Sequence, residues 1–332
     1  MCVVRYERSS GCRGRGRFRD GDEEYPMQTV RIADHGSARR RIRELADRIA
    51  GGVQRRSSRL REAARYAMNQ NVSVAYWWRG RRNFGDEFTS LLVEHIVGAR
   101  PVHVDDMPQG YSGPVLLGVG SILQHREGRG LIVWDSGLIG ADRFVKSPPT
   151  EIRAVRGPLT RQLLLEQGLT CPEVFGDPAL LYPRFYRPIE LVRGAALGLV
   201  PHLVDKSDPQ LLRLSALEGT SVIDVQQHPH TVIQQICACQ AVASSSLHGL
   251  IIAQAYGIPA VWVDFSADVL GGGFKFHDFF QSIGAEAGNA LQVNSKTTVA
   301  QLLDEARCWP IDLDLDGLMR AFPAIERRRS VE

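Results

Sequence analysis

No stretch of this 332-residue chain approaches the roughly 18 apolar residues that a membrane-spanning helix requires. The Arg-rich beginning has no continuous apolar segment of the kind found in a secretory signal. The six cysteines, at positions 2, 12, 171, 237, 239 and 308, show no framework spacing. Cys237 and Cys239 are two residues apart on an expected helix and point in different directions, so free thiols in a cytosolic protein are expected. The chain lacks a Walker A loop, a G-x-G-x-x-G fingerprint and a G-x-S-x-G elbow. It also lacks zinc-like Cys/His spacing. His228 and His230 either ligate a metal or occupy a solvated turn around Pro229; the turn is the simpler reading, so no metal site is expected. Asn71-Val72-Ser73 fits a glycosylation sequon that a cytosolic location would leave unused. No short-period repeat is visible.

Charge is unevenly spread. Residues 1–67 carry 17 Arg against 9 Asp and Glu, a net +8, while the whole chain is +3, so the remainder is acidic at −5. Positive charge therefore belongs to the leader, which argues against nucleic-acid binding by the main body. Residues 1–38 show little apolar periodicity and are expected to be poorly ordered. An Arg-rich helix is expected over 37–67, interrupted at Gly51-Gly52. This extension either touches anionic lipid or nucleic acid or lies upstream of a true start at Met27 or Met68. The second reading is preferred, because the first convincing strand begins at 72.

Beyond the leader, short apolar segments alternate with helical ones. Strands are expected at 72–78, 101–105, 114–119, 131–135 and 151–155, with helices at 86–97 and 158–167. After a Pro-rich stretch at 182–188 the alternation restarts. Strands at 195–200, 221–225, 240–244 and 260–264 enclose helices at 209–217, 230–239 and 247–256. Buried strands alternating with helices predict an α/β protein with parallel sheets in two Rossmann-like lobes. The expected division is 1–67 as basic extension, 68–187 as N-terminal lobe and 188–332 as C-terminal lobe. In such a design ligands sit beyond the carboxyl ends of the strands.

Several motifs fall at those strand ends. In Ala243-Ser244-Ser245-Ser246-Leu247-His248-Gly249, three hydroxyls precede a helix start, whose free N–H groups and partial positive charge attract anions. The segment is either a phosphate or carboxylate site or an N-cap serine cluster with a packed His. In Asn83-Phe84-Gly85-Asp86, Asn83 or Asp86 can cap a helix, or Asp86 can serve as hydroxyl acceptor and general base. Gly118-Val119-Gly120-Ser121 permits close approach of a ligand or another backbone. Arg156, before Gly157-Pro158, can grip a carboxylate or phosphate with paired hydrogen bonds, or pair with an acid such as Asp177. Asp177, in Gly176-Asp177-Pro178, either binds ligand or orients Arg156. His202 ends the first strand of the second lobe and should face the crevice. Lys275 follows Gly271-Gly272-Gly273 and is either a clamp on a pliable glycine loop or a surface Lys.

Taken in order, Asn83-Phe84-Gly85-Asp86-Glu87, Val155 to Thr160, Gly176-Asp177-Pro178-Ala179-Leu180 and Ser245-Ser246-Leu247-His248-Gly249-Leu250 resemble the polysaccharide pyruvyl transferase family, in its exopolysaccharide branch. The resemblance spans about residues 70–285. It implies two lobes arranged as in GT-B glycosyltransferases, phosphoenolpyruvate (PEP) as co-substrate with no further cofactor, and a sugar acceptor that gains a cyclic pyruvate ketal. It further implies a lipid-linked acceptor at the cytoplasmic face of the inner membrane. Many relatives carry Arg where this chain has Ser246, so the donor would be held by Arg156, Lys275 and His202. Ser244, Ser245, Ser246, Gly249, Asn83, Gly85 and Asp177 complete the expected binding set. His248 is expected as acid or phosphate ligand and Asp86 as base. The alternatives are a GT-B-type glycosyltransferase and a non-catalytic anion- or sugar-binding relative.

Overall fold

The computed structural model describes residues 61–66, 72–189, 194–286 and 288–323. The expectations for residues 1–67 lie outside them, apart from 61–66, which are helical.

Short, mostly apolar runs, buried in the central strands and partly exposed at β5, β7 and β10, form two sheets whose pairings are all parallel. The first contains β1 (Val74–Tyr76), β2 (Val102–His103), β3 (Val115–Leu117), β4 (Leu131–Trp134) and β5 (Glu151–Ala154), in the order β2-β1-β3-β4-β5. The second contains β6 (Leu197–Val200), β7 (Thr220–Val222), β8 (Ala241–Ser244), β9 (Ala260–Asp264) and β10 (Leu291–Gln292), in the order β10-β9-β8-β6-β7. The helices are α1 (Phe84–Val97), α2 (Pro158–Glu166), α3 (Pro209–Ser215), α4 (Pro229–Ala238), α5 (Leu247–Ala255), α6 (Phe274–Ser282), α7 (Val299–Glu305) and α8 (Leu315–Arg320). The expected α/β fold with two parallel sheets is the one observed. No helix among the described residues is long and apolar enough to cross a membrane.

Local signals set the element ends. The Asn83 side chain accepts a hydrogen bond from the Gly85 N–H and caps α1, and Gly98 closes that helix at φ +77°. Pro158 opens α2, where its missing N–H costs nothing. Helix α5 is apolar on every side, and residues 247–254 are all buried. It lies against the short 3-10 helix Pro178–Arg184, itself a buried connector where the sequence suggested only a Pro-rich stretch. One apolar cluster runs through both halves, joining Phe84 and Phe88 of α1 to Leu250, Phe276 and Phe280.

Polar contacts tie the halves at several places, two of them close to the candidate site. Asp278 of α6 accepts from Arg156 Nε at 3.0 Å, from Thr160 Oγ1 at 2.6 Å and, through its other oxygen, from the Thr160 N–H at 2.9 Å. Both partners are shut away from solvent, at 1% and 0% side-chain exposure. Gly157 permits this approach: a Cβ there would stand 2.0 Å from the Asp278 carbonyl oxygen. Of the acids with which Arg156 could pair, the partner is Asp278 and not Asp177. At the second place, the chain after α7 returns to the first sheet. Trp134 Nε1 donates to the Leu318 carbonyl at 3.0 Å, and Leu313 and Leu318 press on Gly176, which has φ +126°.

Removing one member of a buried ion pair strands the other charge. Asp278→Ala is therefore expected to cost about 3–5 kcal/mol in urea unfolding. A loss below about 1 kcal/mol, the range of exposed pairs, would contradict the structural role of the pair.

Candidate active site

The chemistry-bearing residues follow the carboxyl ends of the parallel strands, where such folds bind ligands. Asp86 follows β1, Ser121 follows β3, Asp135 follows β4 and Arg156 follows β5. In the second half, His202 follows β6, Ser244 to Ser246 end β8, and Lys275 follows β9.

His248 joins the two halves of the site. It stands in the first turn of α5, and its ring lies over Gly85 of α1: a Cβ on Gly85 would come within 2.0 Å of His248 Nδ1. Gly85 thus serves by its missing side chain. The other ring nitrogen, Nε2, faces Asp177 Oδ2 at 3.6 Å, too long for a hydrogen bond. Neither atom has a hydrogen-bond partner. The remaining Asp177 oxygen accepts from the Ala179 N–H and caps the 3-10 helix.

The serine turn divides its labour. Ser244 is fully buried; its hydroxyl bonds the Val200 and Ser246 carbonyls and accepts from the Ser246 N–H. Ser245 donates to Asp205 and accepts from the His202 N–H at 2.9 Å. Ser266 donates to the second Asp205 oxygen, so Asp205 is held from both sides. Ser246 is the N-cap of α5, yet its hydroxyl makes no capping bond, so the first-turn N–H groups are left open to another acceptor. Gly249 is a packing position, where a Cβ would meet Ser244 Oγ at 2.3 Å and Val200 Cγ1 at 2.8 Å.

Lys275 sits in the first turn of α6 and not on the glycine loop before it. Gly271, Gly272 and Gly273 all have positive φ, which turns the chain sharply into the helix. Its side chain is buried, and among the described residues no acceptor is hydrogen-bonded to Nζ. Burial and the nearby Arg156 charge lower its pKa to about 8, against the pull of Asp86, Asp205 and Asp264. Burial raises the Asp86 pKa to about 6, opposed by His248 and Lys275. Burial and Lys275 lower His202 to about 4, so its imidazole is neutral at pH 7.

Asp86, His248, Lys275, His202 and Arg156 thus belong to one electrostatic neighbourhood drawn from both halves. Its cations are unequal. Arg156 is engaged within the protein, donating to Asp278, to Ser121 Oγ at 2.7 Å and to the Leu138 carbonyl at 2.6 Å. His202 is uncharged, which leaves Lys275 as the charged group of the three with no hydrogen-bond acceptor among the described residues. His228 caps α4, and His230 Nε2 is 2.8 Å from the Tyr182 hydroxyl while its ring stacks on Tyr186.

Two members were missed in the sequence. Asp278 pairs with a residue 122 positions away, and no local pattern signals that. Asp135, completely buried at the end of β4, is the one described non-glycine residue with positive φ, at +74°. Its place directly after an apolar strand was the available signal.

Asp86 has a pKa raised in the fold, so its ionisation opposes folding. That cost is absent below the usual value of 3.8 and complete above about 6. Asp86→Asn should therefore raise Tm at pH 8 and raise it less as the pH falls through 6 toward 4. A gain that does not change with pH would contradict this environment.

The family model for polysaccharide pyruvyl transferases matches residues 141–266, a span that includes Arg156, Asp177, His202 and the Ser-Ser-Ser-Leu-His turn. An uncharacterised protein of Acanthamoeba polyphaga mimivirus is 30% identical over 212 residues, covering 61% of this chain and 72% of that one. The succinoglycan biosynthesis protein ExoV of Rhizobium meliloti is 27% identical over 253 residues, covering 71% of this chain and 72% of that protein.

Proposed function

Because the chain belongs to the polysaccharide pyruvyl transferase family and is a transferase enzyme, we propose that it takes its pyruvyl group from PEP and closes a cyclic pyruvate ketal on a sugar. The observation that carries this reading is that Lys275 and His248, the latter in the first turn of α5 behind its uncapped N-terminus, both act on Asp86. The Lys275 ammonium lies over the Phe276 ring at 5.4 Å but has no hydrogen-bond acceptor among the described residues, and an anionic ligand offsets the cost of its burial. Phosphate suits the helix N-terminus, with Ser246 Oγ beside it, and Lys275 serves as a point charge. His202, being neutral, offers a hydrogen bond and not a charge.

The reaction balances with two hydroxyls of one acceptor sugar. The first hydroxyl oxygen bonds to the central carbon of PEP while the methylene carbon takes a proton to become methyl. The C–O bond to phosphate then breaks, and the second hydroxyl closes the ring. One hydroxyl proton ends on the methyl group and the other on the departing phosphate. Asp86 receives the hydroxyl proton, a role for which a value near 6 is suited. His248 either gives the proton to the methylene carbon or holds the phosphate. The acceptor is a sugar of an exopolysaccharide repeat unit, presented on a lipid carrier at the cytoplasmic face of the membrane.

The test incubates purified protein with PEP and lipid-linked oligosaccharide pools, following inorganic phosphate release and the added pyruvate by mass spectrometry. Release of phosphate with a pyruvylated product supports the reading, whereas turnover of a nucleotide sugar, or PEP binding without phosphate release, overturns it. His248→Ala should lower kcat by about 10²-fold or more. The base must be ionised and the Lys charged, so kcat/KM should rise as pH passes about 6 and fall as it passes about 8. Asp86→Asn should remove the lower limb, and a limb unchanged in that variant would exclude Asp86 as the base.

A further inference from the structure

PEP carries a carboxylate besides its phosphate, and Lys275 with the α5 N-terminus accounts for the phosphate alone. The turn after β3, Gly118-Val119-Gly120-Ser121, is a strand end to which no role has fallen. It lies against the proposed base. A Cβ on Gly120, whose φ is +114°, would stand 3.6 Å from Asp86 Oδ1. The Gly120 carbonyl accepts from the Gly137 N–H and from the Ser136 hydroxyl, both at 3.0 Å, which pins the turn to the chain after β4. On the other side, Ser121 Oγ accepts from Arg156 Nη1 at 2.7 Å. Arg156 is bound in turn to Asp278, one helical turn after Lys275 on α6. Hydrogen bonds and close contacts thus set Ser121 between Asp86 and the turn of α6 that carries Lys275.

Ser121 differs from the hydroxyls around it. Ser136 and Ser244 donate to backbone carbonyls, and Thr160 and Ser245 donate to carboxylates. Ser121 takes its hydrogen bond from a cation, and among the described residues its own proton reaches no acceptor. It is partly exposed, whereas Arg156 is shut in at 1% exposure. Gly137 closes over the guanidinium: a Cβ there would stand 2.4 Å from Arg156 Cζ. The positive charge is therefore passed on through the Ser121 hydroxyl. An oxygen that accepts from a guanidinium is polarised, and its O–H becomes a stronger donor, suited to an anion.

We propose that Ser121 Oγ–H donates to the carboxylate of PEP, with the Arg156 charge behind it, while Lys275 and the α5 N-terminus take the phosphate. Arg156 then serves the donor at one remove, in place of the direct paired grip that its sequence position suggests. The two anionic groups of PEP are held by opposite halves, the carboxylate by the turn after β3 and the phosphate by α5 and α6. The central carbon between them is left toward Asp86, where the acceptor hydroxyl approaches. Inorganic phosphate fills only the second subsite, so Ser121 is the residue that distinguishes the donor from its own leaving group. This inference rests on the reading of PEP as the donor.

The test is calorimetric titration of the full chain with PEP and, separately, with inorganic phosphate. Ser121→Ala should weaken PEP binding by about tenfold or more while phosphate binding stays within about threefold of wild type. Ser121→Thr keeps the hydroxyl and should hold PEP binding within about threefold of wild type. Ser121→Cys, close in size but a weak donor, should show the same selective loss as Ser121→Ala, and it decides the matter if the Ala variant does not fold. PEP affinity unchanged in Ser121→Ala, equal weakening of both anions, or a loss confined to the KM of the acceptor sugar would overturn the proposal. If wild type and Ser121→Ala turn over PEP alike, the Ser121 assignment falls and the donor reading stands. If the wild type binds no PEP, the donor reading falls and the assignment falls with it.

Discussion

The buried pair between Arg156 and Asp278 is the constraint on which the rest of the site depends. Asp278 lies three residues after Lys275 on α6, within reach of the Lys on an ordinary helix face. It turns instead to Arg156 and Thr160 of the other half, where all its acceptor positions are filled. That choice has two consequences. It clasps the halves together at α2 and α6, and it leaves Lys275 buried with no acid of its own. The cation facing the crevice is free because its nearest helical neighbour is committed elsewhere.

Around that clasp the crevice is of mixed charge. Asp86, Asp205 and Asp264 all act on Lys275, while Arg156 opposes them. On the proposed reading, an anion is drawn by the Lys275 ammonium, a helix N-terminus and a neutral imidazole, and not by a ring of arginines. Acid groups nearby are a cost to anion binding and a resource for moving protons. The raised value at Asp86 is the sign of a group kept for chemistry at the expense of stability.

Much of this was legible in the sequence. Parallel strands buried on both faces must be nearly all apolar, so β1, β3, β4, β6, β8 and β9 stand out as short hydrophobic runs bounded by glycines and polar turns. The strand-to-helix turn at Asn83 was equally plain, because capping chemistry is local. What the sequence did not disclose was long-range or conformational. The partner of Arg156 lies 122 residues on, so the sequence could name Asp177 only as one of the acids it might pair with. Lys275 was placed on a glycine loop because the three left-handed glycines end where a Phe-rich helix begins, and that helix has no side-chain cap to announce it. Asp135 carries no motif; its importance comes from a positive φ and from the absence of any donor, which only three dimensions reveal.

The most direct test of the central claim, that Lys275 is the uncommitted cation of the crevice, is calorimetric titration of PEP into the wild type and Lys275→Met between pH 7 and pH 9. The account predicts that wild-type affinity weakens as the pH rises through about 8, and that the Met variant binds at least about tenfold more weakly with no such transition. Equal affinity in the two proteins, or a transition near pH 8 that survives in Lys275→Met, would contradict it.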